Sequence, residues 1–522
     1  MARYDIPRPS SADILLSEIE SGRDRRQGGS PRNSSPYDSS DSRAPASAHH
    51  EEGLISCISR GLSQLGLAVV PSFLQSAVGG EPPKPAKLHD IAALDGLRGW
   101  ACLFVFNFHF IFTYTWQVGI GWGFGGANFG IHQLPFVHML ISGHVMVAIF
   151  FVISGYVLSY RPLKLIRSRS WEQTFAVLSS ATFRRGLRLY IPSIVGTICV
   201  FLAVRLGLYD YSQTVINEGH TITGTNEQHP PILPTIYAQF WDWYYTVVRL
   251  MNVWDWSLYY NNYNPHLWTI PVEFRSSMVL FMTILATSRF KTKVRMGLVA
   301  ALIWFCVRWG RWDVVLFLCG MFMAELDLIN GVWSHPTLAE EKPDHPGPIK
   351  RFFRRYERTL WIFIFIVGLY IGSSPNTGVK YTPGYMWLGR ITPKTYPEPH
   401  RFPQTIGAVL IVHSINNSPP IQKLFTNSIS QYLGKISYAF YIVHGPILHS
   451  LGYSIMPSIW RYTGKETNLQ FCTGLLIGWI ICLPVALWAG DIFWRVVDIP
   501  SVKFARWLED RIVAKGAAAA AS

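Results

Sequence analysis

Arg98 and His109 stand eleven residues apart in LDGLRGWACLFVFNFHF, an apolar run that opens on a charged cluster and closes on an imidazole. On one α-helix that step is about three turns, a rise of roughly 16 Å, and returns to nearly the same face. The helix would set a guanidinium at a membrane surface and an imidazole inside. Ionisable groups within a bilayer are costly and are kept for function. The chemistry this pair suggests is an anionic donor anchored at the arginine, above a buried proton acceptor; Arg98 as a simple membrane-surface anchor is the competing reading.

Three further segments carry charge into apolar surroundings. In TFRRGLRLYIP, Arg184, Arg185 and Arg188 share a helix face. Guanidiniums at a membrane boundary bind lipid phosphates, and they suit bidentate capture of a nucleotide-like diphosphate equally well; the residues leave both open. In NPHLWTIPVEFRSS, Asn264 and Pro265 make a helix start, and His266 and Glu273 fall on one face about 10 Å apart. A carboxylate entering a span needs a partner, so Glu273 predicts an arginine or a hydroxyl donor beside it. In LGKISYAFYIVHGPIL, Tyr438, Tyr441 and His444 follow at three-residue steps. The aromatic stripe reads as packing, with His444 as its informative member. Asp95 has the position of an N-cap, Ser154–Gly155–Tyr156 that of a close helix contact, and His144 that of an interfacial residue without a role.

The elements that must position these residues are membrane helices. The chain has 522 residues, 49% hydrophobic and 15% charged, against about 25% charged in soluble proteins. Its net charge of +14 sits in clusters between apolar runs, as the positive-inside rule requires, which argues against a nucleic-acid partner. The seven cysteines form no CxxC pair and all but Cys57 fall in apolar runs, so buried, inert thiols are expected, with no zinc site and no disulfide framework. No secretory leader is expected, because the first long apolar run starts near residue 97.

About ten spans follow, with cores near 97–116, 141–160, 187–208, 267–288, 296–309, 313–330, 359–373, 404–418, 436–454 and 469–490. The basic clusters fall on one side if both termini are cytoplasmic, leaving the acidic segment 209–265 on the other. The expected fold is thus an all-α membrane protein. Residues 1–90 form a disordered cytoplasmic region, with a membrane-surface helix around Leu54–Val78 an open reading. Residues 91–500 form the membrane unit and 501–522 a cytoplasmic tail. The endoplasmic reticulum and the plasma membrane are both compatible locations.

In this order the pieces resemble the acyltransferase-3 family of integral-membrane acyltransferases. The matching segments are LDGLRG with Arg98 and His109, FFVISGYVLS, the Arg185/Arg188 pair, HLWTIPVEF and LGKISYAFYIVHGP; WRVVDIP is a weaker match. The Ser-rich N-terminus and HLWTIPVEFRSS look like fungal members. Two positions depart from the pattern: Ala148 stands where many bacterial members have an acidic residue, and Phe274 follows Glu273 in place of a second acid. The resemblance implies ten helices and transfer of an acyl group from acyl-CoA, with acetyl-CoA the expected donor, to a hydroxyl of a carbohydrate, lipid or secondary metabolite. It implies no metal, and a small-molecule or glycan acceptor met within the bilayer.

By position, His109 is then the catalytic histidine, and Arg98, Arg185 and Arg188 hold the CoA. A neutral His109 would accept the hydroxyl proton as that oxygen attacks the thioester. Glu273 is the second residue assigned to catalysis, with Tyr441, His444 and His266 in support. The alternative is a multi-pass transporter or proton-coupled channel, in which the same buried charges form a pathway. Transporters often carry internal repeats, and neither the Arg98–His109 step nor FFVISG recurs in the second half of the chain.

Overall fold

The computed structural model describes residues 70–72, 74–75, 88, 91–225, 227–332 and 348–513, with backbone only for 348–355. The expected N-terminal tail and most of its surface helix lie outside these residues, as does the end of the C-terminal tail. The chain divides into a unit of Met1–Asp13 with Leu88–Ser522 and a unit of Ile14–Lys87. The described part of the latter is a turn in which the Leu74 N–H donates to the Pro71 carbonyl at 2.9 Å.

The larger unit is helical, with no strand among the described residues. Its main elements are α1 (Ala92–Tyr114), α2 (Gly143–Arg167), α3 (Trp171–Arg205), α4 (Asp210–Glu218), α5 (Ile236–Leu250), α6 (Thr269–Thr287), α7 (Thr292–Arg308), α8 (Trp312–Asn330), α9 (Pro348–Gly372), α10 (Arg401–Asn417), α11 (Ser428–Ile447), α12 (Tyr453–Thr463), α13 (Asn468–Phe493) and α14 (Ile499–Ile512). A helix overlies each expected core. Four segments are long and apolar enough to cross a membrane by length and composition: Gly143–Arg167, Trp171–Arg205, Pro265–Thr287 and Asn468–Ile512. Others fall short because they are brief or carry polar groups, as α1 does with Asp95, Arg98, Asn107 and His109. Within the most apolar stretch of Asn468–Ile512 only 22% is buried, and Leu469, Leu476 and Ile480 project outward. An apolar surface of that size calls for lipid rather than water.

Helices meet closely where side chains vanish. α2 crosses α8 at Gly155 and Gly320: a Cβ on Gly155 would lie 2.3 Å from the Phe317 carbonyl oxygen, and one on Gly320 2.5 Å from the Tyr156 nitrogen. The contact read from Ser154–Gly155–Tyr156 is therefore real. α1 meets α11 in the same way through Gly99 and Gly434. Asp95 is not an N-cap, because α1 begins three residues earlier, at Ala92. It sits in the first turn and pairs with Arg98 at 3.2 Å. The described cysteines are free, but Cys199 and Cys472 are exposed rather than buried, because each lies on the outward face of an apolar helix.

Candidate active site

His109 lies on the last turns of α1, where the helix runs out of intrahelical partners for its carbonyls. The connection between α4 and α5 supplies them: the Gly224 N–H donates to the Thr113 carbonyl at 3.0 Å and the Thr223 hydroxyl to that of Tyr114 at 2.6 Å. The approach is so close that a Cβ on Gly224 would sit 1.7 Å from the Phe112 oxygen. Three residues on, the segment delivers Glu227 to His109.

Glu227 is the hub of the site. Its Oε1 is 2.8 Å from His109 Nδ1, and its Oε2 is 3.0 Å from His266 Nε2 and 3.1 Å from His449 Nε2. His266 Nε2 also lies 3.0 Å from His109 Nδ1. With each imidazole donating one N–H to the carboxylate, all three contacts to Glu227 are hydrogen bonds, while the His266 Nε2–His109 Nδ1 approach sets two donors side by side and is not one. Burial alone would raise the Glu227 carboxyl, but the imidazoles of His266 and His109 facing it hold it well below the usual carboxylate range. His109 Nε2 is then a lone pair with no hydrogen bond. Its side chain keeps 16% exposure, against 2% for His266 and 4% for His449, so His109 is the member a substrate can reach.

The other members are fixed by backbone chemistry. Pro446 has no N–H to give the Ile442 carbonyl, and Asn264 Nδ2 takes that place at 2.8 Å. This locks the turn Pro265–Trp268, which carries His266, against α11. The Tyr441 hydroxyl bonds the His266 carbonyl and lies 2.7 Å from Thr269 Oγ1. Beyond α11 a π turn spans Leu448–Gly452. Its i→i+5 bonding brings His449 round to the side of His444, whose ring centre is 4.7 Å from that of His266 and 5.5 Å from that of His109. The ligand atoms of His109, His266 and His444 lie within 4.8 Å of one another, as do those of Glu227, His266 and His449. Either set is compact enough to share a metal ion, although the proton assignment above already satisfies the second.

The remaining expected residues run in a column away from this cluster. Glu273 has the partners its position demanded: Arg185 Nη2 at 2.7 Å and the Ser154 hydroxyl at 2.8 Å. No hydrogen bond joins Glu273 to His109. Arg98 bonds Ser437 Oγ at 3.0 Å and the Gly434 carbonyl at 3.2 Å. Arg98 and Arg188 both lie within electrostatic reach of Asp498 in WRVVDIP, while Arg184 pairs with Glu509 at 3.0 Å. Tyr438 spans the two levels, within reach of Asp498, Glu273 and Arg185. His144 is half-buried, its ring packed on those of Phe108 and His400. Sequence reading passed over Glu227 and His449 as site residues. Their traces were an acid and a histidine in NEQHPP and a second histidine five positions after His444.

The acyltransferase domain family matches residues 91–495. An O-acetyltransferase of Phomopsis amygdali, PaAT-1, is 31% identical over 87% of this chain and 90% of its own. Acyltransferase R4 of a Phoma species is 27% identical over 81% of this chain and 96% of its own, and acyltransferase clz18 of Cochliobolus lunatus 26% over 72% and 82%. No solved structure matches. The chain therefore belongs to the acyltransferase-3 family, an integral-membrane acyltransferase as the motifs implied.

Proposed function

From that membership we propose an acyl-CoA-dependent O-acyltransferase that moves an acyl group, acetyl the expected one, to a hydroxyl of a carbohydrate, lipid or secondary metabolite. The observation that carries the reading is the 2.8 Å contact of Glu227 with His109 Nδ1, which leaves Nε2 as the base. An orienting carboxylate on one ring nitrogen and a free lone pair on the other is the arrangement that general-base catalysis needs. The acceptor oxygen attacks the thioester carbonyl and its proton passes to His109 Nε2. The C–S bond then breaks, and the same proton goes to the departing CoA sulfur. Glu227 stabilises the imidazolium formed between these events.

Arg98 and Arg188 hold the CoA phosphates at the opposite end of the column. Arg185, paired with Glu273, and Tyr438 flank the pantetheine arm on its way to His109, a rise of roughly 16 Å along α1. Glu273 serves there by holding Arg185, and Tyr441 and His444 by holding His266. All ten long helices cross the bilayer in this proposal, with both termini cytoplasmic and Glu227 entering from the opposite side.

The test is metabolite and glycan profiling of a strain lacking the protein beside one carrying His109→Ala. Both should lack the same acyl ester while the variant reaches the membrane at normal level. An unchanged ester in the His109→Ala strain sinks the proposal.

A further inference from the structure

The end of the bundle that holds the histidine cluster also buries a second group of charges whose partners are incomplete. Arg401, the first residue of α10, is 2% exposed. Its Nε donates to Glu398 Oε2 at 2.7 Å. The guanidinium carbon lies 4.4 Å from the ring centre of Trp312 and 5.2 Å from that of Trp268. Nη1 and Nη2 are buried with no hydrogen-bond partner. Arg275 on α6 is 5% exposed; it gives Nη1 to the Asp255 carbonyl, while its Nε and Nη2 are also buried and unbonded. Arg311 is paired with buried Asp313. Three guanidiniums thus face two carboxylates, Asp313 and the partly exposed Glu398, with Asp255 at the surface.

A buried charge without a partner is expensive, and the exceptions call for an explanation. The free edge of a guanidinium is a planar fork that fits a carboxylate with two parallel hydrogen bonds. With the exposed Asp255 screened by water, the buried group keeps one surplus positive charge, which suits a monoanion better than a phosphate. The place also fits. Trp268 closes the four-residue turn that carries His266. The His400 ring centre is 4.8 Å from that of His144, which packs 5.2 Å from Phe108, the neighbour of His109. Tyr260 lies within electrostatic reach of both Arg401 and Glu227.

We infer that Arg401, supported by Arg275, is a carboxylate site for the acceptor: the molecule whose hydroxyl meets His109 carries a carboxylate held in the Arg401 fork, with an apolar or aromatic skeleton against Trp268 and Trp312. The inference rests on the proposed acyl transfer and assigns the acceptor's class. The donor's phosphates do not compete for this place, because Arg98 and Arg188 lie at the other end of the column.

The test uses the full-length chain in phosphatidylcholine nanodiscs with radiolabelled acetyl-CoA. The acceptor source is a metabolite extract of a strain lacking the protein, either untreated or with its carboxylates methylated. From the untreated extract, label should enter a compound that moves into ethyl acetate at acid pH and returns to water at neutral pH. Methylation should lower transfer about 10- to 100-fold, the value of a charged hydrogen-bonded pair. Arg401→Gln should lower transfer to the untreated extract by a like factor and leave transfer to the methylated extract unchanged; a damaged fold would lower both. Arg401→Lys should recover part of the loss.

Label confined to neutral compounds and indifferent to methylation overturns the carboxylate site while acyl transfer stands. If neither extract is labelled, the acyl-CoA reading fails instead, and benzoate decides the site by itself. Benzoate should raise the thermal midpoint of the unsubstituted chain and not that of Arg401→Gln. No shift in the unsubstituted chain overturns the inference.

Discussion

Replacing Glu227 with Gln changes the charge of the hub and its donor pattern without changing its size. The carboxylate accepts from His109, His266 and His449 at 2.8, 3.0 and 3.1 Å. An amide offers one oxygen and one NH2 group. If the NH2 turns toward His109, Nδ1 must become the acceptor, the ring proton moves to Nε2, and the base is lost. If the oxygen stays on His109, the NH2 confronts the donor nitrogens of His266 and His449, which must change tautomer. In both cases the negative charge that stabilises the imidazolium is gone. A positioned general base is worth about 10²–10⁴ in rate, or roughly 3–5 kcal/mol at about 1.4 kcal/mol per decade. We therefore expect Glu227→Gln to lower kcat by about that factor and to leave KM for acyl-CoA nearly unchanged, since Arg98 and Arg188 are untouched. Glu227→Asp should restore part of the rate. The assay is initial-rate transfer of labelled acetyl from acetyl-CoA in nanodiscs at neutral pH. A kcat for Glu227→Gln within about tenfold of the unsubstituted enzyme would show that His109 does not depend on this carboxylate, and the mechanism would be wrong.

Other perturbations test the scaffold around the site. Gly224→Ala places a methyl group 1.7 Å from the Phe112 oxygen, so the segment must lift and take Glu227 with it; kcat should fall to the Glu227→Gln level in the same assay. Gly155→Ala drives a Cβ to 2.3 Å from the Phe317 oxygen, backbone against backbone. It should destabilise the fold by about 1–3 kcal/mol, read as a lowered thermal midpoint in detergent. Prolonged treatment with a strong chelator should leave turnover unchanged if protons satisfy the histidines. A loss reversed by added zinc would instead place a metal among His109, His266 and His444, or with Glu227 and His449.

The helices were legible because apolar run length is a local property, and the partners demanded for Glu273 were legible because a buried carboxylate needs them. The resemblance of the motifs to the acyltransferase-3 family was likewise visible in their order. The role of Glu227 was hidden for the opposite reason. It sits in a polar connection with no periodicity, and its meaning comes from a contact with His109 across 118 residues of sequence. His449 was hidden by helix phase: five positions after His444 points elsewhere on an α-helix, and only the π turn at Leu448–Gly452 brings it round. Asp95 misled because an acid before a glycine looks like a helix start, whereas the helix had begun three residues earlier.

The span of chain gathered by Glu227 has a consequence for biosynthesis. His109 leaves the ribosome early, its partner Glu227 follows 118 residues later, and His449 another 222 after that. A nascent chain halted short of His449 carries the base without its full setting. In the proposed mechanism the carboxylate that orients His109 takes its third donor only when the segment carrying His449 has been made and packs beside it.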